Sequence, residues 1–298
     1  MTNTKIAIVA GGTSGVGKRT AIDLAKKQVH VIIIGSNSQK GETALQEIKA
    51  EAPTAEVEFI QADLSRRQNI NQLATQLSQR IDHIDILVTT MGGLFNHYQE
   101  TADQLDLNIV INYWAHYWLI TALEPLLTAA PQSRVLVVGA LPTIVNHITP
   151  HLPELHPKVQ DYNSNRVSTD TLLARVLMVR GLADHWQNST ITVNLFHPGN
   201  VPDSSYGAES NLWFKALGQI LARFSTKNSN VGSRLALEPA FAKQSGSFYD
   251  DKARLVPWNK NTPWHLHSNC LLLQHKKELR HPFLGWHKLL FKFPNKID

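Results

Sequence analysis

Ala10-Gly11-Gly12-Thr13-Ser14-Gly15-Val16-Gly17 decides how this chain is read. The stretch follows a short apolar segment, Lys5–Ala10, and opens a helix-like one, Gly15–Lys27. Its glycines stand at G-x-x-x-G-x-G. Gly11 allows a tight turn, Gly15 lets the backbone approach a pyrophosphate, and Gly17 lets helix and sheet pack closely. The N–H groups of Thr13, Ser14, Gly15, Val16 and Gly17 then face the phosphates from a helix N-terminus. A bare glycine spacing is weak evidence, and a turn that has lost its ligand is the alternative. The strand–turn–helix setting is what favours a dinucleotide.

Outward from that turn, strand-like and helix-like segments alternate for 250 residues, with no internal repeat. The expected strands are Lys5–Ala10, His30–Gly35, Glu56–Gln61, Asp85–Thr89, Arg134–Gly139, Thr190–Phe196 and Gly246–Tyr249. They are short, β-branched and apolar on both faces, which suits a parallel sheet covered on both sides. The expected helices are Gly15–Lys27, Gln39–Ala50, Gln68–Arg80, Ala102–Ala129 and about Val167–Gln187. The alternation predicts an α/β, doubly wound, Rossmann-type parallel sheet of about seven strands, with ligands at the strands' carboxyl ends.

The composition agrees. A chain of 298 residues with 43% hydrophobic and 18% charged content is neither disordered nor fibrous. One cysteine, Cys270, excludes a disulfide framework and a multi-cysteine metal site, and no metal is expected. The N-terminus lacks the features of a signal peptide, and no apolar run is long enough to span a bilayer, so a cytoplasmic protein is expected. Residues 252–298 carry nine Lys/Arg and two acids, a net of +7 against −2 for the rest. The basic pI is thus a property of the tail, and the body is not a nucleic-acid binder on that ground. Two regions are expected: a dinucleotide-binding domain over 1–250 and a basic, aromatic-rich extension over 251–298.

The tip of the second strand reads Gly35-Ser36-Asn37-Ser38-Gln39-Lys40. An NAD-selective site places an acid there for the ribose 2′-hydroxyl. Here Ser36 and Asn37 offer hydrogen bonds, and Lys18, Arg19 and Lys40 offer positive potential. NADP is the expected cofactor, and NAD the less favoured one.

Residues 4–250 resemble the short-chain dehydrogenase/reductase family, and within it the retinol-dehydrogenase-like group. The glycine turn is similar to the family's T-G-x-x-x-G-x-G, with Ala10 where Thr is usual. Asp63-Leu64 matches the D-L pair whose Asp meets the adenine. The N-N-A-G motif after the fourth strand is replaced by Thr89-Thr90-Met91-Gly92, in which only the glycine survives. Asn112 aligns with the catalytic asparagine. His197-Pro198-Gly199 looks like the H-P-G turn beside the nicotinamide. The resemblance implies a Ser–Tyr–Lys–Asn tetrad, in which lysine lowers the tyrosine pKa and serine holds the substrate oxygen. Counting back from Pro198, the serine position is Ala140, the tyrosine position Ser168 and the lysine position Leu172. Only Asn112 remains.

Tyr162 and Arg166 stand at Y-x-x-x-R, six residues upstream, and form one candidate replacement; an ordinary loop tyrosine is the favoured reading. His116 reads as a packing residue. His147, His151 and His156 lie in a Pro-rich loop near the expected pocket. Trp213, Phe214, Leu217 and Ile220, with Tyr206 nearby, read as a lid over a lipophilic ligand or a membrane-touching helix, and equally as a helix packed on the core. The aromatic and cationic tail suits an anionic membrane surface, the body, or a subunit partner. Three functions therefore compete. One is an NADP(H)-dependent oxidoreductase on a small or lipophilic carbonyl or alcohol. The others are a non-redox cyclase or isomerase and a non-catalytic NADP(H)-binding sensor or scaffold. The expected partner is a small apolar molecule, substrate or ligand, and a homo-oligomer is compatible with the sequence.

Overall fold

The computed structural model of the chain describes residues 4–140, 142, 145, 155–199 and 229–258. His147 and His151, the Trp213–Ile220 segment with Tyr206, and the tail from residue 259 lie outside the described residues.

One sheet organises the described chain. Its strands are β1 (Ile6–Ala10), β2 (His30–Gly35), β3 (Val57–Gln61), β4 (Ile86–Thr89), β5 (Ser133–Val138), β6 (Ile191–Phe196), β7 (Phe248–Tyr249) and β8 (Leu255–Val256). They lie in the order β3-β2-β1-β4-β5-β6-β7-β8. All pairs are parallel except β7 with β8. The fold is the expected doubly wound α/β sheet, with eight strands where about seven were expected. The eighth is a two-residue return strand inside the segment 251–298, and Trp258 stacks on Phe248 just beyond it.

Alternate residues of each strand feed separate cores, as the period of two requires. Ile8, Ile32, Leu87, Val135 and Val193 face one core, built with α3 (Arg67–Ser78), α4 (Ala115–Ala122), α5 (Glu124–Ala129) and α6 (Ser164–His185). Ala7, Val9, Ile33, Val88 and Phe196 face the other, built with α1 (Gly15–Ala25), α2 (Ser38–Glu51) and α7 (Val231–Leu237).

The sequence differs most from the structure at Ala102–Ala129, expected as one helix. The chain instead makes a single α-turn at Leu107–Ile109, a π-helical turn at Val110–Trp114, then α4 and α5. Leu123 leaves helical geometry between the last two, and Pro125 opens α5 where a missing N–H costs nothing.

The order reverses between β1 and β4. Both loops that leave this switch point, the glycine turn after β1 and Thr90–Gly93 after β4, emerge at the carboxyl edge, where such folds bind ligands.

Candidate functional site

The glycine turn is closely packed. Gly11 has φ +79° and Gly15 φ +49°, in the left-handed region that favours glycine. A Cβ on Gly17 would run into the Gly11 carbonyl and lie 2.6 Å from Thr90 Oγ1. That hydroxyl donates to the Ala10 carbonyl at 2.8 Å. Thr90 thus fills the floor of the turn from β4, a role its position in the altered N-N-A-G tetrapeptide did not reveal. Thr13 packs on Gly35 at the end of β2, close enough that a Cβ there would lie 2.5 Å from its methyl. The turn and the Ser36 tip are therefore neighbours.

The N-terminus of α1 is electrostatically open. Ser14 occupies the N-cap without a side-chain cap bond, and the first turn holds no acid. The first-turn N–H groups have no acceptor within the helix, and the helix dipole favours an anion there. Glycines that cannot carry a Cβ and this uncapped end together fit a pyrophosphate.

At the β2 tip, Ser36, Asn37 and Lys40 are exposed. The Asn37 carbonyl oxygen accepts from Lys40 N at 2.8 Å and caps α2, which leaves its amide N–H groups for other use. Lys18 is committed elsewhere, 2.6 Å from Glu47. Lys40 stays exposed at the tip beside Ser36 and Asn37. Asp63 is exposed beside buried Leu64, and its Oδ1 accepts from Ser65 N at 3.0 Å.

Asn112 lies in the π-helical turn, 2% exposed. Its Nδ2 donates to Gly93 O at 2.7 Å and to Asn108 Oδ1 at 2.7 Å, while its Oδ1 accepts from Gly93 N at 3.3 Å. This amide fastens the segment that follows β4 at Gly93, next to the expected Gly92. His116, wholly buried one turn on, fastens the same segment. Its Nδ1 meets Thr89 Oγ1 and its Nε2 meets Met91 O, both at 2.9 Å. The carbonyl requires a proton on Nε2, so Nδ1 accepts from the threonine. Burial, with the Arg175 charge adding to it, pushes the His116 pKa down to about 3. It is a neutral, structural histidine, as the sequence suggested.

The structure separates Tyr162 from Arg166. The Tyr162 hydroxyl accepts from Asn108 Nδ2 at 3.2 Å and donates to Asp106 Oδ2 at 3.4 Å. Burial raises its pKa, and the Asp106 carboxylate pushes the same way. Arg166 is 71% exposed and turns to buried Asp170, 3.8 Å away. No cation activates the phenol among the described residues.

The tetrad positions carry no acid–base group. Ala140 is half-buried against the core, and Leu172 is buried in α6. The Ser168 hydroxyl donates back to Ser164 O at 2.8 Å. Three residues beyond Leu172, buried Arg175 donates from Nη1 to Val138 O at 2.9 Å, at the end of β5. A charged residue on a helix reads in sequence as a solvated face, so its burial was not foreseen.

Pro198 and Gly199 (φ +76°) leave β6 at the same edge. His156 is exposed. At the opposite edge, His30, Glu56 and Glu58 bring three potential ligand atoms within 4.8 Å of one another, but Arg80 also holds Glu58, which makes the group an ion-pair network. No helix among the described residues is long and apolar enough to cross a membrane.

Comparison with known proteins places these features in context. The family model described as short chain dehydrogenase matches residues 5–148. Retinol dehydrogenase 13 of Homo sapiens is 26% identical over 261 residues, covering 85% of this chain and 78% of that protein. The WW domain-containing oxidoreductase of Drosophila melanogaster is 27% identical, over 83% of this chain and 62% of that protein. Among solved structures, the Pseudomonas aeruginosa RhlG/NADP active-site complex superposes with a TM-score of 0.62 at 20% identity, covering 83% of this chain and 94% of the other. A Burkholderia cenocepacia short chain dehydrogenase in complex with NADP gives 0.64 at 19% identity, covering 83% and 95%. At these identities the structural likeness speaks for the fold.

Proposed function

Because this chain belongs to the short-chain dehydrogenase/reductase family, with the retinol-dehydrogenase-like group, we propose that it binds NADP(H) and acts as an oxidoreductase on a small or lipophilic carbonyl or alcohol. One observation carries the cofactor reading: the uncapped start of α1 stands over a glycine turn with no room for side chains, beside a β2 tip without a carboxylate. The fold neighbours in complex with NADP support the same choice.

NADP(H), when bound, supplies the hydride. The chain's own residues divide the remaining tasks. Gly11, Thr13, Ser14, Gly15, Val16 and Gly17 hold the pyrophosphate. Ser36, the Asn37 amide and Lys40 hold the 2′-phosphate. Asp63 and Leu64 border the adenine, and Gly92, Pro198 and Gly199 border the nicotinamide. Asn112 fixes the loop after β4 through Gly93 instead of acting on substrate directly. Tyr162 stays a phenol, because burial and Asp106 both oppose its ionisation.

Leu172 and Ala140, in place of a cation and a hydroxyl, favour a second reading: an NADP(H)-binding sensor or scaffold without turnover. Fluorescence titration with NADPH and NADH, followed by NADPH oxidation over a panel of ketones and quinones, separates the two. NADPH is expected to bind more tightly than NADH, and Lys40→Glu to weaken NADPH about tenfold while sparing NADH. Turnover supports the oxidoreductase, and in that case Tyr162→Phe retains it. Binding without turnover supports the sensor. Failure to bind NADPH overturns both.

A further inference from the structure

His197 is one of three buried histidines among the described residues, and it contrasts with His116. It is 7% exposed at the carboxyl end of β6. Both nitrogens of His116 are satisfied by Thr89 and Met91. Neither nitrogen of His197 has a hydrogen-bond partner among the described residues. Native structures pair almost all buried polar groups, and an exception calls for a specific reason.

Its backbone is fixed on both sides. The His197 N–H donates to Tyr249 O at 2.8 Å, and the Gly139 N–H donates to the carbonyl of the preceding residue, Phe196, at 2.7 Å. The β5–β6 register runs through Val138 and Phe196, which sets His197 beside Gly139 and next to Ala140. Ala140 is the position where the resemblance implied a hydroxyl for the substrate oxygen. In a sheet of this order, β4 to β6 form the second nucleoside-binding half, away from the glycine turn. An imidazole with two buried, unpartnered nitrogens thus stands at the end of β6, near Ala140, which carries no hydroxyl, while Arg175 close by donates to Val138 O.

Resting on the oxidoreductase reading above, we infer that His197 donates a hydrogen bond to the carbonyl oxygen of the substrate, in place of the donors that Ala140 and Ser168 do not provide. Burial lowers the ring's pKa, against the opposing pull of Asp251 and Asp250 from the turn after β7. The ring is therefore neutral near pH 7, with one N–H to give and one nitrogen to accept. A neutral imidazole can polarise a carbonyl without ionising. Asp250 is itself bound to Arg254 at 2.6 Å.

The test uses isobutyramide, whose carbonyl accepts a hydrogen bond but takes no hydride. Protein labelled with 15N-histidine is loaded with NADPH and titrated with the amide. The His197 ring resonance is expected to move. His197→Ala is expected to bind the amide about three- to tenfold more weakly, and His197→Gln, which restores an N–H donor, to recover part of the loss. A ring resonance unmoved at saturating amide, or wild-type affinity in His197→Ala, overturns the inference while NADPH binding still stands. If NADPH itself fails to bind the wild-type protein, the underlying reading fails and takes the inference with it. The resonance is read on unmutated protein, so a misfolded variant does not spoil the test.

Discussion

Gly17 concentrates the chemistry of the turn in one hydrogen atom. Any side chain there meets the Gly11 carbonyl and Thr90 Oγ1, and neither can retreat, because Thr90 is tied to Ala10. Gly17→Ala should destabilise the fold by about 1–3 kcal/mol, the usual cost of overpacking. It should also weaken NADPH binding at least tenfold, by about 1.4 kcal/mol. Urea unfolding and fluorescence titration measure the two effects, and unchanged affinity would show that the turn does not hold the cofactor. His116 gives a prediction in pH. Its folded pKa of about 3 lies below the unfolded value near 6.5. Above pH 6.5 both states are neutral and the packing contribution is complete. As pH falls, the unfolded chain takes up a proton that the folded chain refuses, so stability drains away between about 6.5 and 3. At pH 5 the loss is about 2 kcal/mol. Subtracting the pH profile of His116→Asn isolates it, and parallel profiles would refute the neutral, buried assignment. His116 and Gly17 were both legible in the sequence, since a glycine spacing and a histidine on an apolar helix have few readings. His197 was not, because an unpartnered nitrogen is a property of three-dimensional surroundings.

Elements divide along the same line. Six strands fall within a residue of their expected bounds because apolar, β-branched runs between turns admit one reading in a doubly covered sheet. The region from Ala102 to Ala129 looked like one helix because apolar periodicity does not register a π-turn. Asn112 holds that turn against Gly93 and Asn108, a tertiary cause that leaves no local mark. π-turns of this kind occur often at functional sites. The two-residue β8 is too short for a period to show, whereas β7 lies inside the expected strand Gly246–Tyr249. Arg134 offers a test at this scale. It sits buried on β5, and its Nη1 donates to Leu235 O and Glu238 O, both at 2.9 Å. It therefore closes the carboxyl end of α7 from the face of the sheet on which that helix packs. Arg134→Met keeps the stem and removes the donors, and should cost about 2 kcal/mol, as for a hydrogen bond from a charged group. Loss of amide-exchange protection confined to α7 would identify the cap as the cause. Unchanged protection there would assign any loss to packing of the β5 stem.

At the scale of the whole molecule, charge is segregated while the apolar core is not. The described sheet and its two cores run as far as Val256 and Trp258, and the residues before 252 carry a net −2. Beyond Trp258 the sequence holds seven Lys/Arg, two acids and the aromatic run Phe283, Trp286, Phe291 and Phe293. A cation near an anionic bilayer contributes about 1 kcal/mol, and aromatic residues favour the interface. The sequence therefore predicts that the full chain sediments with phosphatidylserine vesicles, and that added salt releases it as screening shortens the reach of each charge. A chain ending at Trp258 keeps every described strand. It should lose the vesicles and keep NADPH affinity, since the glycine turn, the β2 tip and the β6 edge all precede the cut. Equal sedimentation of both chains would move the membrane contact to the body. Loss of NADPH affinity in the shorter chain would instead make the tail a part of the pocket.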